Sequence, residues 1–259
     1  LPNVLTALEF ERLTSASGPT GGPIVLKSKK HNKRKKIDEW VFDAEGPRPK
    51  SVAIIHCVGS RDARFNPYCS RVCCMYSLKF AHLVREKLPD AVCHEFYIDM
   101  RAFGKGYEDF FERIKHEQVL VVRGRSAKVV QGSGGMVIKG EDILSDRLVE
   151  LPVDMVILSV GLQPVADAEA LARMLGISRD RDGWFSEMDY NLDPTATEQG
   201  GIYLAGVCQG PKDIPDTVAQ ASAVAARVLR SILSGKGQGG RADLTLEEID
   251  ARSRELAAR

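Results

Sequence analysis

Between Ser51 and Arg123 short apolar runs alternate with amphipathic stretches, and this alternation constrains the fold more than any other feature. Val52 to Ile55 reads as a buried strand. Residues 75–87 follow with apolar positions at Met75, Leu78, Ala81 and Leu83, near helical spacing. Ala91 to Ile98 is a second strand, Tyr107 to His116 a second helix, and Val119 to Arg123 a third strand. A strand with no polar face must be covered on both sides, which a parallel sheet flanked by helices provides. Asp154 to Gly161 repeats the buried pattern, Ala166 to Leu175 reads as a helix closed by Gly176, and Gly201 to Gly206 as a last strand. Ser126 to Leu151 alternates around Gly132-Ser133-Gly134-Gly135, a hairpin signal. A long helix is expected from about Asp216 to Leu233, with a helix over Val4 to Leu13 at the start.

A nucleotide-binding fold would place G-x-G-x-x-G directly after the strand at Val52 to Ile55. The chain has none. Gly104-Lys105-Gly106 precedes a helix but is followed by Tyr107, Glu108 and Asp109, a partial match only. In place of phosphate-cradling glycines come Cys57, Val58 and Gly59, then Cys69, Cys73 and Cys74. These hold four of the chain's six cysteines. Their spacing, C-x11-C-x3-C-C, is neither a zinc ribbon nor a ferredoxin run. Adjacent cysteines fit a single tetrahedral ion poorly, whereas a four-iron cube spreads its ligand positions and takes neighbours at two corners. An iron–sulfur cluster is the leading reading; zinc, a redox disulfide and inert buried thiols stay open. Arg61 and Arg71 can offset thiolate charge. His56 can tune or ligate a metal, or be hydrogen-bonded at the strand end. Cys93 reads as core, and Cys208 as packing or redox.

Composition narrows the class. A formal net charge of +1 with 27% charged and 44% hydrophobic residues is the balance of a globular chain and argues against a nucleic-acid protein. The basic run Lys27 to Lys36 reads as a solvated loop. No apolar stretch approaches the ~20 residues of a membrane span. Clustered thiols without a signal peptide point to a reducing, cytoplasmic setting. The chain opens at Leu1 and is expected to be a piece of a longer protein.

The segment from Gly201 onward suggests a second cofactor site. Gly206 permits close backbone approach, and the helix that follows offers first-turn amides near Thr217 and Val218 to an anionic group such as a phosphate or a reduced flavin. An ordinary capped helix is the alternative.

Four blocks then resemble one family. They are Cys57-Val58-Gly59-Ser60-Arg61-Asp62, Tyr68 to Tyr76, Tyr97 to Glu108, and Gly210 to Ser222 with its Pro211-Lys212-Asp213-Ile214-Pro215. They are similar to the A subunit of the heterodisulfide reductases and its bacterial relatives, as is Pro2 to Leu13. The resemblance implies a Rossmann-like, thioredoxin-reductase-like α/β fold: an incomplete FAD domain with an inserted NAD-domain-like module. Residues 1–46 would be an FAD-domain segment and linker, 47–150 the inserted module, 151–235 the closing part of the FAD domain, and 236–259 a flexible linker and charged helix. Cys57, Cys69, Cys73 and Cys74 would hold a 4Fe-4S cluster. Gly161 and the stretch Gly206 to Gln220, with Lys212, Asp213, Ile214, Thr217, Val218 and Gln220, would lie near FAD. The G-x-G-x-x-G strand of the family's FAD site is absent, no cysteine follows Cys208, and Val207 stands where an Asp is common.

The expected function is an electron-transfer subunit, or fragment of one, in a flavin and iron–sulfur oxidoreductase, inactive as this isolated chain. Its partners would be other subunits of a redox complex, iron–sulfur proteins among them, with homodimerisation open. The alternatives are a flavin disulfide reductase using the vicinal Cys73 and Cys74, and a zinc-stapled scaffold.

Overall fold

The computed structural model describes residues 1–234 and 247, 250–251 and 254–255. Most of the flexible linker and charged helix expected over 236–259 lies outside them. The chain divides into two units, Leu1–Gly161 and Leu162–Arg259.

The first unit is a three-layer α/β module. Its sheet contains β1 (Val4–Thr6), β4 (Ser51–Val58), β5 (Val92–Tyr97), β6 (Leu120–Arg123) and β10 (Met155–Val160), all parallel, in the order β1-β10-β4-β5-β6. Helices α2 (Cys73–Lys87) and α3 (Tyr107–His116) connect β4 to β5 and β5 to β6. An antiparallel meander of β7 (Ser126–Gln131), β8 (Met136–Asp142) and β9 (Arg147–Val153) then carries the chain to β10, on the other side of β4.

The pleat sorts the strand residues into two cores. Leu5, Val52, Ile54, Met155 and Ile157 face the helices, packing with Phe10, Leu13, Leu78, Phe80 and Val84. Ala53, Ile55, Phe96 and Val156 face the meander with Met136, Ile138 and Val153. Both faces are apolar because both are covered, as the unbroken hydrophobic runs required.

Several expectations change. The first turn of the helix expected at Val4 is β1, because Val4, Leu5 and Thr6 pair with Val156, Ile157 and Leu158; α1 (Ala7–Thr14) starts only after Thr6 caps it. Thr6 and Glu9 form a capping box there. The basic run is no loop: β2 (Ser28–Asn32) and β3 (Ile37–Val41) pair as a hairpin with the lysines around its tip. Residues on both sides of 46 and 150 share one sheet, since β1 pairs with β10 and β10 with β4, and the chain divides into its two units at Gly161.

In the second unit, α4 (Ala168–Leu175) ends at left-handed Gly176 as expected. Ala168, Ala172, Ile177, Phe185 and Leu204 form its small core. The strand expected at Gly201 to Gly206 makes only an isolated bridge between Tyr203 and Ala196, followed by a 3-10 turn at Gly206–Gln209. Without a parallel neighbour among the described residues, its apolar pattern has no ladder to join. Helix α5 (Ile214–Leu233) follows.

Candidate metal centre

Strand order reverses between β4 and β10. In open α/β sheets ligands bind outside the carboxyl ends of the strands at such a switch point. Cys57 lies at that end of β4, and Val160 ends β10 beside it, with Gly161 donating to the Val58 carbonyl at 3.2 Å. Cys73 and Cys74 open α2 as its first two residues. The thiols therefore occupy the place where this topology would otherwise hold a phosphate.

Local backbone geometry brings them together. Cys57 adopts φ 56°, Gly59 74°, Arg61 56° and Arg71 59°. A left-handed conformation costs a non-glycine residue about 1–2 kcal/mol, so three in one loop mark a segment held by its surroundings. Left-handed Cys57 ends the pleat of β4 and meets Cys73. The Ser60 and Ser70 hydroxyls, both fully buried, bond at 2.7 Å and tie the two ends of the loop together. Gly161 packs on this pair, and a Cβ there would overlap both oxygens. The structure thus accounts for Gly161 by the close approach of the cysteine loop.

Cys57, Cys73 and Cys74 are buried and form a chain of thiol contacts. A hydrogen bond from Cys73 lowers the proton affinity of Cys57 and of Cys74. Cys73 itself, in hydrogen-bond contact with both and desolvated, is pushed far up. Cys69 stands on the loop before α2, where the Arg71 amide donates to its sulfur at 3.4 Å. Arg61 lies close enough to Cys57 and Cys69 to feel their charge. It is held by Asp99, whose Oδ2 accepts from Nη2 at 2.7 Å, while Arg123 donates to Oδ1 at 3.2 Å. Asp99 thus bridges two arginines. Its pairing with Arg61 spans 38 residues, and no local signal announces it.

The residues fit a thiolate-ligated centre in chemistry. Three of the four thiols touch at this corner, with Cys69 on the loop before them, and Arg61 Nη1 is buried with no hydrogen-bond partner among the described residues. Such an unpaired cationic donor is expensive unless something anionic meets it. Among the described residues no three His, Cys, Asp or Glu side chains surround the point a single metal ion would need. Cys93 is fully buried in the helix-side core, as expected, and Cys208 is exposed, its thiol donating to the Ala205 carbonyl at 3.3 Å.

The residues expected near FAD behave differently. Gly161 belongs to the first unit; the other seven lie in the second. Asp213 caps α5, accepting from the Asp216 amide at 2.9 Å. The helix thus begins at Ile214, and the Thr217 amide is spent on the Asp213 carbonyl at 3.0 Å. Gly206 donates to Gln220 Oε1 at 2.8 Å, and Lys212 to Gln209 Oε1 at 3.2 Å. Ile214 and Val218 are exposed. Gly206, Thr217 and Lys212 each give a donor to a neighbour in the same unit, and no flavin step is assigned to this set.

Fold and site together define an α/β Rossmann-like protein whose phosphate turn has been replaced by a cysteine loop. No protein-family model matches the chain. It is 45% identical over 238 residues to the A subunit, second form, of the CoB–CoM heterodisulfide reductase iron-sulfur proteins of Methanopyrus kandleri, covering 90% of this chain and 34% of that protein. It is 44% identical over 237 residues to the A subunit of the H2:CoB-CoM heterodisulfide,ferredoxin reductase of Methanothermobacter marburgensis, again 90% and 34%. A protein of Archaeoglobus profundus, itself described as like the heterodisulfide reductase A subunit, is 39% identical over 240 residues, at 91% and 34%. The chain belongs to the family of heterodisulfide reductase A subunits and spans about a third of the length of these relatives. Among solved structures, thioredoxin reductase of Lactococcus lactis is similar over 72% of this chain and 54% of its own, at 16% identity and a TM-score of 0.48. L-lysine 6-monooxygenase of Pseudomonas syringae is similar over 90% and 59%, at 13% identity and a TM-score of 0.49.

Proposed function

We propose that this chain is an electron-relay section of a flavin and iron–sulfur oxidoreductase of the heterodisulfide reductase type, with Cys57, Cys69, Cys73 and Cys74 holding a 4Fe-4S cluster. The supporting observation is the run of three touching thiols at the sheet's switch point, with the unpaired Arg61 donor beside Cys57 and Cys69. When bound, the cluster supplies one-electron transfer, which needs no acid, base or nucleophile from the protein.

The chain's own residues do the holding. Cys57 and Cys74, whose protons are already loosened, are the readiest thiolates, and Cys73 must surrender its proton on ligation. Arg61, aimed by Asp99, offsets the thiolate charge. Tyr76, half-buried on the first turn of α2, is anchored by its bond to the Val160 carbonyl. The sheet behind the loop is closed to water: Val52 to Ile54 and Met155 to Ile157 are fully buried.

The flavin of this proposal is completed by residues beyond those of this chain, and the partners are the other subunits of the redox complex that the relatives' names describe. No helix among the described residues is long and apolar enough to cross a membrane. Clustered free thiols suit a reducing compartment, so a cytoplasmic setting is part of the proposal.

Anaerobic purification with assays for iron, acid-labile sulfide, zinc and flavin tests it. The proposal expects about four iron and four sulfide per chain. Zinc alone, or a titratable dithiol without metal after iron and sulfide are supplied, would overturn it.

A further inference from the structure

The four cysteines of the loop do not share one depth. Cys57, Cys73 and Cys74 are 5%, 1% and 2% exposed, whereas Cys69 is half-buried. That exposure is not the looseness of a free segment, because the backbone is tied on both sides of it. The Arg61 amide donates to the Tyr68 carbonyl at 3.0 Å, and the buried Ser70 hydroxyl bonds Ser60 at 2.7 Å. Cys69 is thus held at the surface, and among the four it is the sulfur that solvent reaches.

Arg71 lies against that sulfur. Its backbone amide donates to Cys69 Sγ at 3.4 Å, and its guanidinium sits over the ring of Phe103, 5.1 Å from the centroid. Phe103 is 60% exposed and takes no part in either core of the first unit. Its neighbours fix its place: Ala102 is buried, and Gly104 lies so near the Tyr107 ring that a Cβ there would overlap it. Phe103 comes from the loop after β5 and Arg71 from the cysteine loop after β4. The stack therefore joins two loops that parallel strands deliver to the same edge of the sheet. A cation–π contact at such an exposed site is weak, but it fixes where the arginine lies.

We infer that Cys69 is the corner at which the centre meets solvent and passes electrons outward, and that Phe103, by stacking on Arg71, sets how far that corner is covered. The inference rests on the cluster reading above. Electron transfer through protein slows steeply with distance, so a centre exchanges electrons through its least covered ligand. Hydrogen bonds to the sulfurs and solvent exposure also tune such a centre, and at Cys69 the Arg71 amide bears on both. Phe103 is a positioning residue in this arrangement: it acts through Arg71 and exchanges no electron.

Two measurements on the full chain test it. In the first, the metal-free chain is treated anaerobically with iodoacetamide, and each thiol is followed by peptide mass spectrometry. Cys69 should react before Cys57, Cys73 and Cys74, with the exposed Cys208 of the second unit as an internal reference. Phe103→Leu removes the π face and keeps apolar bulk. It should raise the Cys69 rate about two- to fivefold, the factor that losing an exposed cation–π contact gives, and leave Cys208 unchanged. Phe103→Tyr keeps a ring face and should restore the wild-type rate. In the second, the chain reconstituted with iron and sulfide is reduced and mixed with one equivalent of hexaammineruthenium(III). This reagent takes one electron from the centre and becomes ruthenium(II), and no proton moves. Phe103→Leu should speed the oxidation by a similar factor at unchanged iron content. Cys57, Cys73 or Cys74 reacting ahead of Cys69, or a Cys69 rate that the Leu variant leaves unchanged, would overturn the cover. Faster alkylation with unchanged oxidation would overturn the electron path while leaving the cluster in place. A wild-type chain that binds no iron would instead remove the cluster reading and the electron path with it, a result on which the alkylation order does not depend.

Discussion

The hydroxyl of Tyr76 donates to the backbone carbonyl of Val160 at 2.6 Å, bridging the first turn of α2 and the end of β10. One turn of helix and one strand end, 84 residues apart in sequence, are thereby locked across the switch point where the thiols gather. Ser77 and Ser159, both fully buried, repeat the link at 2.6 Å. Tyr76→Phe leaves the Val160 carbonyl unpaired and should destabilise the chain by about 1–3 kcal/mol. A urea midpoint unchanged from wild type would show that the bond contributes nothing.

Gly161 is fixed by the same corner. A methyl group there would overlap the Ser60 and Ser70 oxygens, which are themselves bonded to each other and fully buried. Gly161→Ala is expected to cost about 1–3 kcal/mol, as overpacking does. Adding Ser60→Gly, which removes the nearer oxygen, should return part of that loss. If the single and double variants unfold at the same denaturant concentration, the contact is not the cause.

Cysteines at different depths should separate ligation from packing. Cys73 touches both Cys57 and Cys74, so Cys73→Ala should abolish iron incorporation and the visible absorption that goes with it. Cys93 lies fully buried in the helix-side core, away from the loop. Cys93→Ala should keep the spectrum and lower stability by about 1–2 kcal/mol through the small void it leaves. Iron content measured on both variants decides; equal loss in the two would refute the ligand set.

Acid should open the loop through Asp62. Its carboxylate takes bonds from Arg64 and Arg125, each at 3.1 Å, and Arg64 foremost holds its pKa down at about 2. A depressed carboxylate contributes stability that is present above its unfolded pKa, about 3.9, and lost as pH falls through the folded value. The melting temperature gap between wild type and Asp62→Asn should therefore close between pH 5 and about 2. A gap that stays constant across that range would exclude the clamp.

In the second unit, Asp193 is 1% exposed and accepts two hydrogen bonds from Arg227 of α5, one of them at 2.9 Å. Arg227→Met leaves that carboxylate buried without its cation and is expected to cost about 3–5 kcal/mol. Proteolysis of the second unit, followed by mass spectrometry, should accelerate in this variant while iron binding persists. Unchanged cleavage would show that the pair does not hold α5.

The parallel α/β core was legible because Val52 to Ile55 and Met155 to Leu158 are apolar without alternation, a pattern only a doubly covered strand sustains. Likewise α3 lies at Tyr107–His116 as its spacing indicated. The lysine-rich hairpin was not legible, since exposed strands such as β2 carry no hydrophobic period to read. Nor was β1: Val4-Leu5-Thr6 suits either a helix or a strand, and pairing with β10 settles it.

Composition and spacing alone established that four sulfurs stand where a nucleotide turn belongs, because residue type and chain distance are properties of the sequence. Which groups surround those sulfurs was decided only by folding. Asp99 reaches Arg61 across 38 residues, Glu95 reaches His56 across 39, and Ser60 and Ser70 close over Gly161. Those encounters depend on strand register and on left-handed backbone at Cys57, Arg61 and Arg71, neither of which leaves a local mark in the order of residues.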